Sequence, residues 1–205
     1  AAKFQVNEAV SIEHAVGIAD QPPNFVPSVP GVAVAGLPGG LQRSVQTSAG
    51  VKAELPWDVS LATSVFYNSY FNLTDPFSQN QDLDLDLEEA RVRSIGAAMG
   101  LEVLLQRRLT RRVGGMLAYT LSRSTRSHER IHTLSGYDRP HVLNVGASVD
   151  LGRRWLAGAR AVVYSGVPGS RSFGERRIFD QARARPFFRA DVRLVAATNR
   201  DLRRE

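Results

Sequence analysis

The sequence of 205 residues contains no cysteine, which excludes disulfide bridges and thiolate metal sites. Lysine is nearly absent too: Lys3 and Lys52 are the two examples, so the net charge of +6 comes almost entirely from arginine. The arginines are scattered through turns, loops and strands. They lack the clustered basic face and the stacking aromatics of a nucleic-acid-binding protein. The sequence therefore predicts no nucleic-acid partner.

Long apolar runs are missing as well. No stretch approaches the ~20 apolar residues of a membrane-spanning helix, so the sequence argues against an inner-membrane protein. A phosphate-binding loop of the form Gly-x-x-x-x-Gly-Lys-Ser/Thr is absent, because neither lysine stands in one. No export signal is visible, and we expect any such signal to lie upstream of Ala1.

Alternation of apolar residues with small or polar residues is the dominant pattern, and residues 94–105 show it clearly. Because successive side chains of a strand point to opposite faces, this pattern predicts strands with one face toward an apolar medium. Phe66, Val142 and His14 interrupt it. Eight segments carry the pattern: residues 9–18, 46–55, 58–68, 94–105, 112–123, 141–151, 155–164 and 188–194.

The connections between these segments are of two kinds. Those centred on Trp57, Thr110 and Arg153 are tight, whereas four others are long and polar: residues 19–45, 69–92, 124–140 and 166–186. Outer-membrane barrels have short periplasmic turns and long extracellular loops, with aromatic residues at the membrane interfaces. Trp57 and Trp155 both stand at tight turns. We therefore predict an all-β, antiparallel, up-and-down transmembrane β-barrel, partial at about eight strands, over residues 1–194.

Soluble β proteins are the alternative, because their strands alternate in the same way. We therefore keep a soluble or small closed β-barrel with a binding or structural role as an alternative hypothesis.

The polar face of the predicted strands carries charge, which an outer-membrane barrel tolerates because its lumen is wet. Seven charged residues are predicted to face that lumen: Lys52, Glu54, Glu102, Arg160, Arg189, Asp191 and Arg193.

One enzymatic motif is present. His128, Glu129 and His132 satisfy the zinc protease signature His-Glu-x-x-His. Catalysis would require a packed helix with a third ligand and a substrate cleft, whereas these residues lie in a polar connection. We therefore reject a zinc site, expect no cofactor, and predict that the chain is not an enzyme.

An acidic run occurs at residues 82–89, which read DLDLDLEE. Alternating carboxylates could bind Ca²⁺, but the run lacks the glycine turn and the ligand spacing of an EF-hand. Its alternation with leucine favours the extension of a strand beyond the membrane.

Two longer phrases carry a family resemblance. GLEVLLQRRLTRRVGGMLAYTLSRS, which starts at Gly100, and GYDRPHVLNVGASVDLGRRW, which starts at Gly136, resemble the carboxy-terminal barrel of TonB-dependent outer-membrane receptors. LTDP at Leu73, YSGVPGS at Tyr164 and QPPN at Gln21 fit the same pattern. The resemblance covers residues 10–194 and implies an outer-membrane location and active uptake of a nutrient such as a metal chelate.

Receptors of that family enclose an amino-terminal plug in a barrel of roughly 22 strands and draw energy from a periplasmic coupling protein. This chain has neither the plug nor the coupling segment, so we expect it to be a fragment. The resemblance implies four partners: outer-membrane lipid and lipopolysaccharide, the missing plug domain, the remaining barrel strands, and the coupling protein.

The end of the chain resembles a different family. Residues 191–205, DVRLVAATNRDLRRE, are similar to the strand and helix around the sensor motif of sigma-54 activator ATPases. In those ATPases the run matched by Ala197, Thr198 and Asn199 ends a strand near the nucleotide phosphate. Without a phosphate-binding loop, we expect residues 195–205 to be an unrelated, disordered or helical tail that marks a junction.

Overall fold

The computed structural model describes residues 1–21, 40–74, 93–108, 112–128, 131–173 and 176–196, and these residues form strands and turns. None of them forms a helix that could cross a membrane. The strands are β1 (Ala2–Gln5), β2 (Val10–Gln21), β3 (Gln42–Leu55), β4 (Val59–Thr74), β5 (Arg93–Arg107), β6 (Val113–His128), β7 (Ile131–Leu134), β8 (His141–Gly152), β9 (Trp155–Tyr164), β10 (Pro168–Phe173), β11 (Arg176–Arg183) and β12 (Phe187–Ala196).

One antiparallel sheet dominates the molecule. Its strands lie in the order β1-β2-β3-β4-β5-β6-β8-β9-β12, and β7 pairs with the carboxyl-terminal end of β6. β10 and β11 pair with each other in a separate two-stranded sheet. Nearly every strand pairs with its neighbour in the chain, so the topology is up-and-down. Within the described residues β1 and β12 do not pair, and the sheet is open. The predicted all-β antiparallel class is confirmed.

The eight predicted strands are all present, and several are longer than predicted. β4 continues to Thr74 and β6 to His128, into segments that the sequence assigned to long connections. Four short strands were not predicted: β1, β7, β10 and β11. Val195 and Ala196, the last described residues, extend β12 and pair with Leu156 and Trp155. Residues 197–205, with the ATPase-like run, lie outside the described residues, so the expected unrelated tail stays a prediction.

The pairing register sorts the side chains onto two faces, because residues directly opposite each other in a sheet point to the same side. One row across the sheet consists of Ile12, Val51, Thr63, Val103, Tyr119, Leu143, Val163 and Phe188. The adjacent row consists of Glu13, Gly50, Ser64, Glu102, Thr120, Val142, Tyr164 and Phe187. We call the side of the first row the apolar face and the side of the second the polar face.

The apolar face has no protein layer over it in the described part of the chain. Four valine and isoleucine side chains on this face are more than half exposed, whereas core side chains are nearly fully buried: Val16 (58%), Ile18 (69%), Val65 (55%) and Val192 (85%). The buried apolar side chains among the described residues are Leu73, Leu134 and Val162. A soluble β-sandwich or closed barrel would bury its apolar face against itself. This face therefore needs an apolar medium or another partner.

The tight turns lie at one end of the sheet. β8 and β9 are joined through Arg153 and Arg154, which have positive φ angles of 50° and 68°, the left-handed pair that a type I′ hairpin turn requires. β3 and β4 are joined through residues 56–58, and Trp57 there is 81% exposed. β5 ends at Arg107 and β6 begins at Val113, with residues 109–111 outside the described range.

Candidate functional site

The polar face is the candidate site, because it collects charged side chains on a concave surface. All seven residues that the sequence predicted to face a lumen lie on this face by register. Lys52, Glu54 and Glu102 lie on β3 and β5, and the other four lie on β9 and β12: Arg160, Arg189, Asp191 and Arg193. The structure thus places them in two groups, one on each half of the sheet. That the face borders a lumen stays a prediction.

Two members of the first group, Lys52 and Glu102, line a groove of about 700 Å³. Lys52 Nζ lies 3.3 Å from Glu54 Oε1, and on the neighbouring strands Lys3 Nζ lies 3.3 Å from Glu13 Oε1. Ser64 Oγ donates a hydrogen bond of 3.4 Å to Glu102 Oε2. These ion pairs are about half exposed, so each contributes little to stability.

The second group borders a shallower groove of about 800 Å³ beside the edge strand β12. Arg189 donates hydrogen bonds to Asp191 from Nε (3.0 Å) and Nη2 (2.9 Å), and Arg160 lies directly opposite Asp191 in the register. Arg193 is two residues further along the same strand. This half of the polar face is therefore cationic, with three arginines around one carboxylate.

Metal-binding interpretations find no support from the described residues, where no group of three His, Asp or Glu side chains comes together. The described residues of the His-Glu-x-x-His segment lie on two paired strands, since His128 of β6 pairs with Ile131 of β7 and Ser127 pairs with His132. A zinc protease would need a helix there. The His132 Nδ1 atom lies 2.7 Å from Ser127 Oγ. Glu129 and the acidic run at residues 82–89 lie outside the described residues.

A buried ion pair that the sequence did not reveal stands at the end of the sheet away from the tight turns. Asp138 is fully buried and accepts hydrogen bonds of 2.5 Å from the Ser124 N–H and from Arg183 Nη2. Arg183 Nη1 also donates to the carbonyl oxygens of Asp138 (2.9 Å) and Gly166 (3.2 Å). The pair ties β11 to the segment that precedes β8.

A second contact reinforces this connection. Thr133 Oγ1 donates to the Phe179 carbonyl oxygen at 2.7 Å and accepts from the Phe179 N–H at 2.8 Å. The Phe179 ring also covers Gly136, where a Cβ atom would lie 2.9 Å from the ring. β7 and the β10–β11 hairpin thus form one packed unit at the long-connection end.

Arginine and tyrosine side chains line the polar face near that unit. The Arg126 guanidinium lies 5.4 Å from the centre of the Tyr70 ring and covers Gly96, and Arg139 lies 5.6 Å from the centre of the Tyr164 ring. Burial lowers the pKa of the Arg126 guanidinium, while Tyr70 and Tyr137 act in the opposite direction. These contacts are cation–π pairs of the usual kind. No local sequence pattern predicts them, because each pair joins residues from separate strands or connections.

Comparison with known proteins gives a match by structure. No protein-family model and no curated protein matches the sequence. The fold matches the crystal structure of the ferric-catecholate import receptor Fiu of Escherichia coli K12 in its closed form, with a TM-score of 0.68 and 16% sequence identity. The chain has the fold of part of that receptor. The match covers 97% of this chain and 28% of the receptor chain, so this chain spans less than a third of the receptor's length.

Proposed function

We propose that the chain is part of the barrel wall of a TonB-dependent outer-membrane receptor that imports a nutrient such as a metal chelate. The observation that carries the proposal is the uncovered apolar face of a ten-strand antiparallel sheet whose other face is polar and charged. The match to an import receptor over 97% of the chain supports it. The family resemblance of the phrases around Gly100 and Gly136 gives independent support.

The proposal assigns a medium to each face. The apolar face contacts outer-membrane lipid, and the tight turns at Trp57 and Arg153 point to the periplasm. The exposed Trp57 and Trp155 rings then lie at the periplasmic interface, where amphipathic aromatic side chains are favoured. The packed unit around Asp138 and Phe179 lies at the extracellular end.

The polar face then borders the lumen. Lys52, Glu54, Glu102 and the arginine group of β9 and β12 face the plug domain of the complete receptor or the water around it. The remaining barrel strands pair with β1 and β12, because unpaired strand edges are costly in lipid. The periplasmic coupling protein supplies the energy for uptake in the complete receptor.

The two tryptophans of the sequence allow a direct test. The chain is folded into phosphatidylcholine vesicles whose acyl chains carry bromine at shallow or deep positions, and the quenching of tryptophan fluorescence is measured. We expect shallow bromine to quench Trp57 and Trp155 more strongly than deep bromine, because both lie near one interface.

Matched variants extend the test to mid-depth. In a Trp57→Phe, Trp155→Phe background, Val103→Trp on the apolar face is compared with Glu102→Trp on the polar face. Val103 pairs with Thr63, which follows Trp57 by six residues in the chain. This places Val103 near the middle of a strand that crosses the membrane. Deep bromine should quench the former variant and spare the latter. Equal quenching of both, or a chain that stays folded and freely soluble, would contradict the proposal and favour a soluble β protein.

A further inference from the structure

Arg123 is a cation on the apolar face. It pairs in register with Met99 and follows Tyr119 and Leu121 on the same side of β6. Its side chain is exposed, and it makes no hydrogen bond or ion pair within the described part of the chain. Asp20 and Arg43, on the same face of β2 and β3, provide a contrast. They bind each other, with 2.8 Å between Arg43 Nε and Asp20 Oδ1.

The position of Arg123 along β6 defines its depth. Residues 113–121 of β6 are a stretch of nine consecutive residues without a charged side chain. A strand tilted in a membrane needs about 9–11 residues to cross the hydrocarbon core. Arg123 is the next residue on the apolar face, at the end away from the tight turns. It therefore stands at the boundary between the hydrocarbon and the lipid headgroups of the leaflet nearer the long connections.

His141 completes the site. It pairs with Leu121, so it lies diagonally next to both Tyr119 and Arg123 on the apolar face. Its Nδ1 atom lies 2.8 Å from Tyr119 Oη, and the two rings are stacked with their centres 6.2 Å apart. When Nδ1 accepts a hydrogen bond from the Tyr119 O–H, the ring proton is on Nε2, which can then donate to an outside acceptor. Ser165 Oγ accepts a 3.0 Å hydrogen bond from the His141 N–H and fixes the backbone.

We propose that Arg123 and His141, with Tyr119 as the support of the imidazole, bind the phosphate of an anionic lipid in that leaflet. The inference rests on the proposed function, because it needs the apolar face to contact lipid. An unpaired guanidinium beside a hydrocarbon boundary is stabilised by an anion, and phosphate matches its planar set of donors. The Met99 and Leu121 side chains beside it are apolar, which fits the acyl chains of the same lipid molecule. A free anion would leave those side chains uncovered.

The test uses the chain folded into phosphatidylcholine vesicles that contain a small, varied fraction of photoactivatable phosphatidic acid. The yield of lipid cross-linked to the chain gives a half-saturating lipid fraction, and mass spectrometry locates the label. We expect the label on the peptides that contain Arg123 and His141. Arg123→Gln should raise the half-saturating fraction about tenfold, which corresponds to the loss of one charge-assisted hydrogen bond. Arg123→Lys should retain part of the binding.

Two controls define the result. Arg153→Gln removes the same charge at the tight-turn end and should leave the half-saturating fraction unchanged. Millimolar inorganic phosphate in the buffer should fail to displace the labelled lipid. Displacement by phosphate would show a free-anion site and overturn the proposal, as would equal labelling by photoactivatable phosphatidylcholine. Identical behaviour of Arg123→Gln and Arg153→Gln would overturn it too.

Measurements on the unmodified chain distinguish a failure of the proposed function from a failure of the phosphate site. If it does not associate with vesicles at all, the proposed function fails and this inference fails with it. If it associates but is labelled equally by both lipids, the barrel proposal stands and the phosphate site is wrong. A variant that fails to insert does not affect this comparison, because the preference and the label position are measured on the unmodified chain.

Discussion

The ring of Phe66 covers Gly100, its direct partner in the β4–β5 register. A Cβ atom at Gly100 would lie 2.7 Å from two carbon atoms of this ring and 2.5 Å from the Leu121 carbonyl oxygen. Phe66 interrupts the alternation of its strand because its ring belongs to the polar face and covers the space that a missing side chain leaves open. Aromatic side chains commonly cover glycines in sheets in this way.

Substitution of Gly100 tests this contact. Gly100→Ala should destabilise the chain by about 1–3 kcal/mol, because the backbone carbonyl of Leu121 cannot move without disturbing the β5–β6 pairing. Gly17→Ala on β2 is the matched control, since nothing lies within 4 Å of its added methyl group. Urea unfolding of the chain in vesicles, followed by tryptophan fluorescence, measures both variants. Equal stability of the two variants would show that the ring can move away freely.

Adjacent residues on opposite faces test the membrane orientation. Leu105→Arg places a charge on the apolar face, where an arginine near mid-depth costs about 2–4 kcal/mol. Gln106→Arg places the same charge on the polar face, beside Ser60 and Met116, and should cost little. The amount of folded chain recovered with vesicles reports the difference. An equal loss in both variants would contradict the assignment of lipid to the apolar face alone.

Removal of Arg183 should strongly destabilise the packed unit of β7 and the β10–β11 hairpin. Arg183→Met leaves the buried Asp138 carboxylate without its partner, which costs about 3–5 kcal/mol for a buried pair. Adding Asp138→Asn should recover part of this loss, because the amide carries no charge. Hydrogen exchange at the Ser124 and Ala184 amides reports local opening, since these amides bind Asp138 and Val167. Faster exchange in the double variant than in Arg183→Met would contradict this account.

The Arg153–Arg154 turn offers a stabilising change. Both residues have positive φ angles, a conformation that costs roughly 1–2 kcal/mol for an ordinary L-residue. Arg153→Asn with Arg154→Gly gives the preferred type I′ sequence and should raise the free energy of unfolding by about 1 kcal/mol, after the added freedom of glycine in the unfolded chain. Arg153→Lys with Arg154→Lys keeps the charge without the preference and should change nothing.

The sequence predicted the large sheet because its strands are long and alternate over many residues. The parity of residues 94–105, for example, places Met99 and Glu102 on opposite faces as observed. The short strand β7 was missed because it has four residues, too few to show a period. The Asp138–Arg183 pair was missed for another reason: the partners are 45 residues apart, and no local pattern marks two residues that meet through tertiary folding. Phe66 departs from the alternation of its strand for the same reason, because the glycine that its ring covers lies on the neighbouring strand.

The spacing of the turns also has a consequence for the order of folding. Three hairpins, β3–β4, β5–β6 and β8–β9, close through short connections, so they lose little chain entropy and should form within microseconds. The joins between them, such as that from Tyr164 to Phe187, bring together strands that are distant in the chain. We therefore expect the sheet to assemble from preformed hairpins, with β12 added to β9 in a late and separate step.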